Sequence, residues 1–91
     1  MKIEFDPVKD RLNQKKHGLS LSFAAELDWE FSLSWEDGGL DYGEWRFNAL
    51  VPVGDMLYHV TYTEKERDVM RVISLRLAEN WEKRRYVRNF S

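Results

Sequence analysis

The sequence has no cysteine, only two prolines and two histidines, and between positions 22 and 64 only one basic residue, Arg46. The missing cysteine excludes a disulfide scaffold, a thiolate zinc site and a thiol nucleophile, and it suits a reducing cytoplasm. His17 and His59 lie far apart in sequence and are poor ligand material, so neither a metal site nor a cofactor is expected. No apolar run approaches the ~18 residues of a membrane span. The opening Met1-Lys2-Ile3-Glu4-Phe5-Asp6 lacks the apolar stretch of a signal peptide. The expectation is a cytoplasmic protein without membrane contact.

What is present fits one small folded unit over residues 1–91. Of these residues 43% are hydrophobic and 33% charged, too apolar for a disordered chain of net charge −2. Small domains bury a low fraction of their surface, so four Trp, four Tyr and five Phe are expected to supply much of the core. The charges fall into three blocks. Residues 1–21 carry five Lys/Arg against three acids, 22–64 carry Arg46 against nine, and 65–91 carry eight against four. If the two basic ends meet, they form a positive surface on an acidic protein, suited to nucleic acid; the acidic middle would suit a basic partner. Solvated surface explains most single charges. Arg46 alone departs from its surroundings.

Alternation and capping signals give the order β-α-α-β-β-β-β-α, an α+β pattern. Ile3 and Phe5 share one face of a first strand. Asp6-Pro7 reads as N-cap and N1 proline of a helix that runs to about His17, with Val8 and Leu12 on its buried face. Gly18 ends it, and Lys15, Lys16 and His17 sit at the C-terminal end of its dipole. A second short helix is expected after Ser20 or Ser22, with Phe23, Ala24 and Leu27 buried. The period then becomes two: Phe31, Leu33 and Trp35, a turn at Asp37–Asp41, then Trp45, Phe47, Ala49, Val51 and Val53. Gly54-Asp55 turns the chain into Met56–Thr63. Glu64–Asp68 links to Val69–Leu77, where Ile73, Leu75 and Leu77 point one way. Glu79–Asn89 closes the chain as a helix.

Parity sorts the strands into two faces. The aromatic and branched set, including Trp35, Trp45, Phe47, Tyr58, Val60, Tyr62, Ile73 and Leu75, is expected beneath the N-terminal helices. The other face then holds Ser32, Ser34, Glu44, Arg46, Asn48, His59, Thr61, Ser74 and Arg76. Such a face is either ordinary solvated sheet or a binding surface.

Several motifs carry a family resemblance. Phe5-Asp6-Pro7-Val8-Lys9, Asn13, Lys16-His17-Gly18 and Ala24-Ala25 resemble the N-terminal half of the BrnT family of type II toxins. Tyr42-Gly43-Glu44-Trp45-Arg46-Phe47, Tyr62-Thr63-Glu64, Arg71-Val72-Ile73-Ser74-Leu75-Arg76, and Glu82 with Tyr86 continue the similarity in colinear order. The resemblance implies a RelE-like ribonuclease fold: two N-terminal helices and a C-terminal helix around a mainly antiparallel sheet of four to five strands. It also implies an RNA-cleaving toxin that inhibits translation, paired with a BrnA-like antitoxin. That antitoxin has a ribbon-helix-helix part, so DNA is touched only through it. Departures at Leu75, Leu77 and Glu79-Asn80-Trp81 motivate an alternative, a non-catalytic module that keeps the antitoxin surface and co-represses its operon.

RNA cleavage by 2′-OH attack needs a base, an acid and cations at the phosphate, and needs no metal. Arg46 and Arg76 are the phosphate candidates, because a guanidinium grips two oxygens and stays charged; ion pairing with Glu44 or Glu36 across the sheet is the competing role for both. Glu44 is either the base or the partner that orients Arg46. His17 is either an acid or base near neutrality or a helix-end cation. Lys16, Arg71 and Tyr86 are candidate RNA contacts. Lys16 could instead cap carbonyls, and Tyr86 could donate a proton, stack on a base or anchor the last helix.

Overall fold

The computed structural model describes residues 2–41 and 44–90. Strand β1 (Lys2–Glu4) leads into helix α1 (Pro7–His17). Two 3-10 turns follow, Leu21–Glu26 and Trp29–Phe31. Strands β2 (Leu33–Asp41), β3 (Glu44–Val53), β4 (Met56–Glu66) and β5 (Val69–Leu77) then form a meander, and helix α2 (Asn80–Phe90) closes it. One sheet results, in the order β1-β5-β4-β3-β2. It is mixed, because β1 runs parallel to β5 while every other neighbour is antiparallel. Among the described residues no helix is long and apolar enough to cross a membrane.

Helix α1 begins and ends where its caps dictate. The Asp6 carboxylate accepts from the Val8 N–H at 2.8 Å, Pro7 sits at N1, and Gly18 takes φ 71° at the C-terminal end. Its expected apolar face is not a core face, since Val8 and Leu12 are 53% and 60% exposed. The helix lies along the edge of β5 and anchors through polar groups. The Asn13 amide donates to Leu75 O (2.9 Å) and accepts from Leu75 N–H (3.1 Å), while also donating to Leu19 O (2.8 Å). β1 pairs only with Val69–Arg71. The Asn13 side chain therefore supplies, further along that edge, the two bonds that a neighbouring strand would make. Asp10 ties α1 to the following turn, accepting from Leu21 N–H at 2.7 Å and Ser20 Oγ at 3.0 Å. These bonds, the backbone one first, hold its carboxyl below the usual carboxylate range.

The segment expected to form a second helix is 3-10 throughout. Its role is as expected: Leu21, Ala24 and Leu27 cover one sheet face with Ala49, Val51, Tyr58, Val60, Tyr62, Met70, Val72 and Leu75. Edge-to-face pairs Phe23–Tyr58 (5.2 Å) and Trp29–Tyr62 (5.6 Å) and the stacked pair Phe47–Tyr62 (5.5 Å) complete this core.

Further assignments change. Phe31 belongs to a 3-10 turn, and β2 runs through Asp37–Asp41 with a register irregularity between Glu36 and Leu40, in place of a turn. Trp35 lies on the opposite face, packed against Leu50, Leu57 and Ala78. That face is covered at one end by α2, so it holds a second apolar cluster that a one-core reading of parity misses. A bulge leaves Ile73 without a partner between Val72 (facing Tyr62) and Ser74 (facing Thr61). Met70 and Val72 therefore join Leu75 in the core, while Ile73 does not. Finally, Trp45 and Leu77 lie near strand ends and stay 48% and 49% exposed.

Candidate functional site

Directly paired residues share a sheet face, so the register lays out the polar side as rows. One row reads Arg46, Thr63, Arg71, Glu4; the next reads Trp35, Asn48, Thr61, Ser74; the third reads Leu33, Leu50, His59, Arg76. Arg46 and Arg71 flank Thr63 from the strands on either side, about 10 Å apart by strand spacing. Arg46 Nε faces the Asp37 carboxylate at 3.3 Å. Arg71 meets Glu4 Oε1 at 3.4 Å. Asn48 Oδ1 accepts from the Thr61 hydroxyl at 2.9 Å. Among the described residues the buried Thr63 hydroxyl has no hydrogen-bond partner.

Helix α2 closes the third row. Glu82, 1% exposed, receives Arg76 in a bidentate pair (2.8 and 3.1 Å) and accepts from the Glu79 N–H at 2.8 Å. The second bond is the return arm of a capping box, so one carboxylate both starts the helix and ties it to the sheet. Burial raises the Glu82 pKa, but Arg76 and the Glu79 N–H outweigh it and leave the group below its ordinary value. The same pairing raises Arg76 further. His59 Nε2 stands 3.9 Å from Glu82 Oε2, and its buried Nδ1 has no partner. Burial first, then Arg76, pushes His59 down against the opposite pull of Glu82 and Asp37, so the ring is neutral at pH 7 and the contact is not an ion pair. Trp35 packs edge-on to His59 at 6.2 Å, and the Arg85 guanidinium lies 4.2 Å over the Trp35 ring.

On the other side α1 forms a wall. Lys9, Leu12, Asn13, Lys16 and His17 line a shallow cleft with Ile73 and Ser74. His17 is half-buried, and burial, then Lys16 and Arg76, lowers its pKa.

Arg46, Arg71 and Arg76 thus lie on one face, with Lys16 and His17 at its border. Glu44 is half-buried at the start of β3, two residues before Arg46 and on the same side by parity. Tyr42 and Gly43, from the same sequence motif, lie outside the described residues. Tyr86 is held differently. Its hydroxyl donates to Phe31 O at 2.6 Å and its ring packs on Phe90 and the Leu50 cluster, and burial raises its pKa. Glu82 and Trp35 were not among the sequence candidates. The signal for Glu82 was present as Glu79-x-x-Glu82 at a helix start; for Trp35 parity pointed to the wrong side. Among the described residues no three His, Asp or Glu side chains are grouped to hold a metal ion.

The fold and site define a small α+β domain whose mixed sheet presents an arginine-bearing polar face between a basic helix and a capping helix. The family model described as the ribonuclease toxin, BrnT, of a type II toxin-antitoxin system matches residues 5–82, and the chain belongs to that family. It is also similar to the crystal structure of the Brucella abortus ribonuclease toxin BrnT, with a TM-score of 0.65 and 27% identity, over 88% of this chain and 99% of that one. No curated protein matches.

Proposed function

We propose that this protein is a RelE-like, metal-independent endoribonuclease of the cytoplasm, which cleaves RNA, inhibits translation and is neutralised by a ribbon-helix-helix antitoxin. The observation that carries this reading is that Arg46 and Arg71 share one open sheet face, with Lys16 and His17 at its border, in a chain of this family. Arg46 and Arg71 are placed to hold phosphates on either side of Thr63. His17 is held neutral, the form that accepts a 2′-OH proton. Glu44, on the Arg46 side, is the alternative base. As the 2′-oxygen closes on phosphorus, charge builds on the non-bridging oxygens, where a guanidinium stabilises it. The P–O5′ bond then breaks and the departing 5′-oxygen takes a proton from the protonated base or from water, leaving a 2′,3′-cyclic phosphate and a 5′-OH. Arg76 faces this region from beneath α2 and acts on the site through its charge, because Glu82 occupies its fork.

That occupied fork also favours a second reading, in which turnover is lost and the domain only binds its antitoxin. Two measurements separate them. Expression without the antitoxin should arrest growth, and purified protein should cleave RNA, free or on ribosomes, in the presence of a chelator. Arg46→Ala should abolish both while the melting temperature stays within a few degrees. Cleavage should weaken as salt rises, since phosphate contacts release counterions. Wild-type protein that neither arrests growth nor cleaves RNA, yet binds the antitoxin, establishes the non-catalytic reading.

A further inference from the structure

Away from the polar face, the tip of the β3–β4 hairpin and helix α2 enclose an apolar groove. Its walls include Met56, Leu57, Leu77, Tyr86 and Val87, with Lys83 at the rim and Asp55 at the hairpin turn. Met56, Leu77 and Val87 are 46%, 49% and 64% exposed, large values for aliphatic and thioether side chains placed together. A second shallow depression continues along the helix between Lys83, Arg84, Val87 and Arg88. The only carboxylate on α2 is Glu82, and it is buried against Arg76. The helix therefore exposes the basic residues Lys83, Arg84 and Arg88 while Arg85 folds over Trp35, and its carboxylate is turned inward.

We infer that this groove docks an acidic amphipathic helix of the antitoxin, an inference that rests on the membership in a toxin–antitoxin family. Two features select the occupant. Charge complementarity calls for carboxylates along the Lys83–Arg84 rim, while the aliphatic floor calls for apolar side chains at helical spacing. RNA would satisfy the rim and waste a floor that is apolar and non-aromatic at Met56, Leu57, Leu77 and Val87; Tyr86 is the aromatic in the lining, and its hydroxyl is tied to Phe31 O. An added β-strand is disfavoured by the backbone. Val53 and Pro52 pair with Met56 and Leu57, Pro52 has no N–H, and its carbonyl already accepts from Asp28 N–H at 2.8 Å. A helix satisfies its own backbone and needs only side-chain contact.

The test uses a fluorescein-labelled 18-residue helical peptide with leucines spaced i, i+3, i+7 and glutamates elsewhere, and the same peptide with lysine for every glutamate. Fluorescence anisotropy with the full chain should show the acidic peptide binding at least tenfold tighter than the basic one. Val87→Glu and the double variant Lys83→Glu/Arg84→Glu should each weaken it at least tenfold with unchanged melting temperatures, since these side chains are exposed. Equal binding of both peptides, or full binding by Val87→Glu, overturns the proposal. So does a single-stranded RNA that displaces the acidic peptide from wild type and loses affinity for Val87→Glu, or a wild-type dimer in sedimentation that Val87→Glu converts to monomer. Val87→Glu co-expressed with the product of the adjacent reading frame should still arrest growth, with at least tenfold poorer rescue than wild type. Full rescue sinks the docking site alone. A wild-type chain that never arrests growth counts against the ribonuclease reading and leaves the peptide measurement to decide the groove.

Discussion

The two faces of this sheet are held by different forces. Beneath the 3-10 turns the packing is apolar and aromatic, with Leu21, Ala24, Ala49, Val51, Val60 and Leu75 fully buried. On the other face one end is clamped by a buried carboxylate and the rest carries hydroxyls, amides and arginines. The first kind of face tolerates exchange among shapes of similar volume. The second does not, because Glu82 or Arg76 left alone is a charge or donor set without its partner. The difference separates the clamp from the open part of the face: Arg76 and Glu82 are engaged in holding α2, whereas Arg46 and Arg71 stand beyond its cover, beside Asp37 and Glu4.

The comparison breaks most readily in the apolar core. Leu75→Ala should cost about 3–4 kcal/mol, the usual range for a fully buried leucine, read as a fall in the urea midpoint at constant slope. Glu82→Ala should cost about 3 kcal/mol by orphaning the Arg76 guanidinium. Adding Arg76→Met to it should recover part of that loss, and a double-mutant cycle measures how much. If Glu82→Ala melts like wild type, the clamp contributes nothing and α2 is held by Trp35 and Tyr86 alone. Asn13→Ala should cost about 1–2 kcal/mol, because it leaves the Leu75 N–H and C=O without partners at the sheet edge; amide exchange at Leu75 should accelerate with it.

Acidification sharpens the contrast further. His59 is neutral and its folded-state pKa lies below the ordinary 6.5. The unfolded chain therefore binds a proton first as pH falls, and stability that is full above about 6.5 declines as pH drops below it. His17 has the same sign, and Glu82 adds a further decline below the ordinary carboxylate range. The melting temperature should fall between pH 7.5 and 5.5, and His59→Gln should remove part of that fall. Arg76, Glu82, Asp37 and Trp35 are the groups around the ring that the measurement reports on. The smallest effect is expected at Trp45→Ala, under about 1 kcal/mol, because half the ring is already in water. A loss comparable to Leu75→Ala would place Trp45 in the core after all.

Legibility in the sequence tracked the range of the interactions. The caps of α1 were readable because Asp6, Pro7 and Gly18 act within a few residues of their targets, and the β3 and β4 alternation was readable because these two strands pair with each other in unbroken register. Arg46 on the polar face followed from that same alternation. The family motifs Lys16-His17-Gly18 and Arg71 through Arg76 fall at the end of α1 and on β5. Val8 and Leu12 were misread because helical spacing alone does not say that a helix will lie at a sheet edge and anchor through Asn13. Arg76 looked like a free phosphate ligand because nothing local announces that Glu82 will fold back onto it.

The sequence alone determined where α1 starts and stops, how β3 and β4 alternate, and where the charge accumulates, since these depend on backbone dihedrals, capping bonds and side-chain period. Tertiary structure decided the rest. It set on which side Trp35 falls, that Ile73 bulges out of register, that Leu75 bonds to an asparagine side chain at the sheet edge, and which arginines remain beyond the cover of α2. Each of these depends on two segments distant in the chain meeting at one place, where burial, pairing of charge and completion of backbone hydrogen bonds are settled jointly.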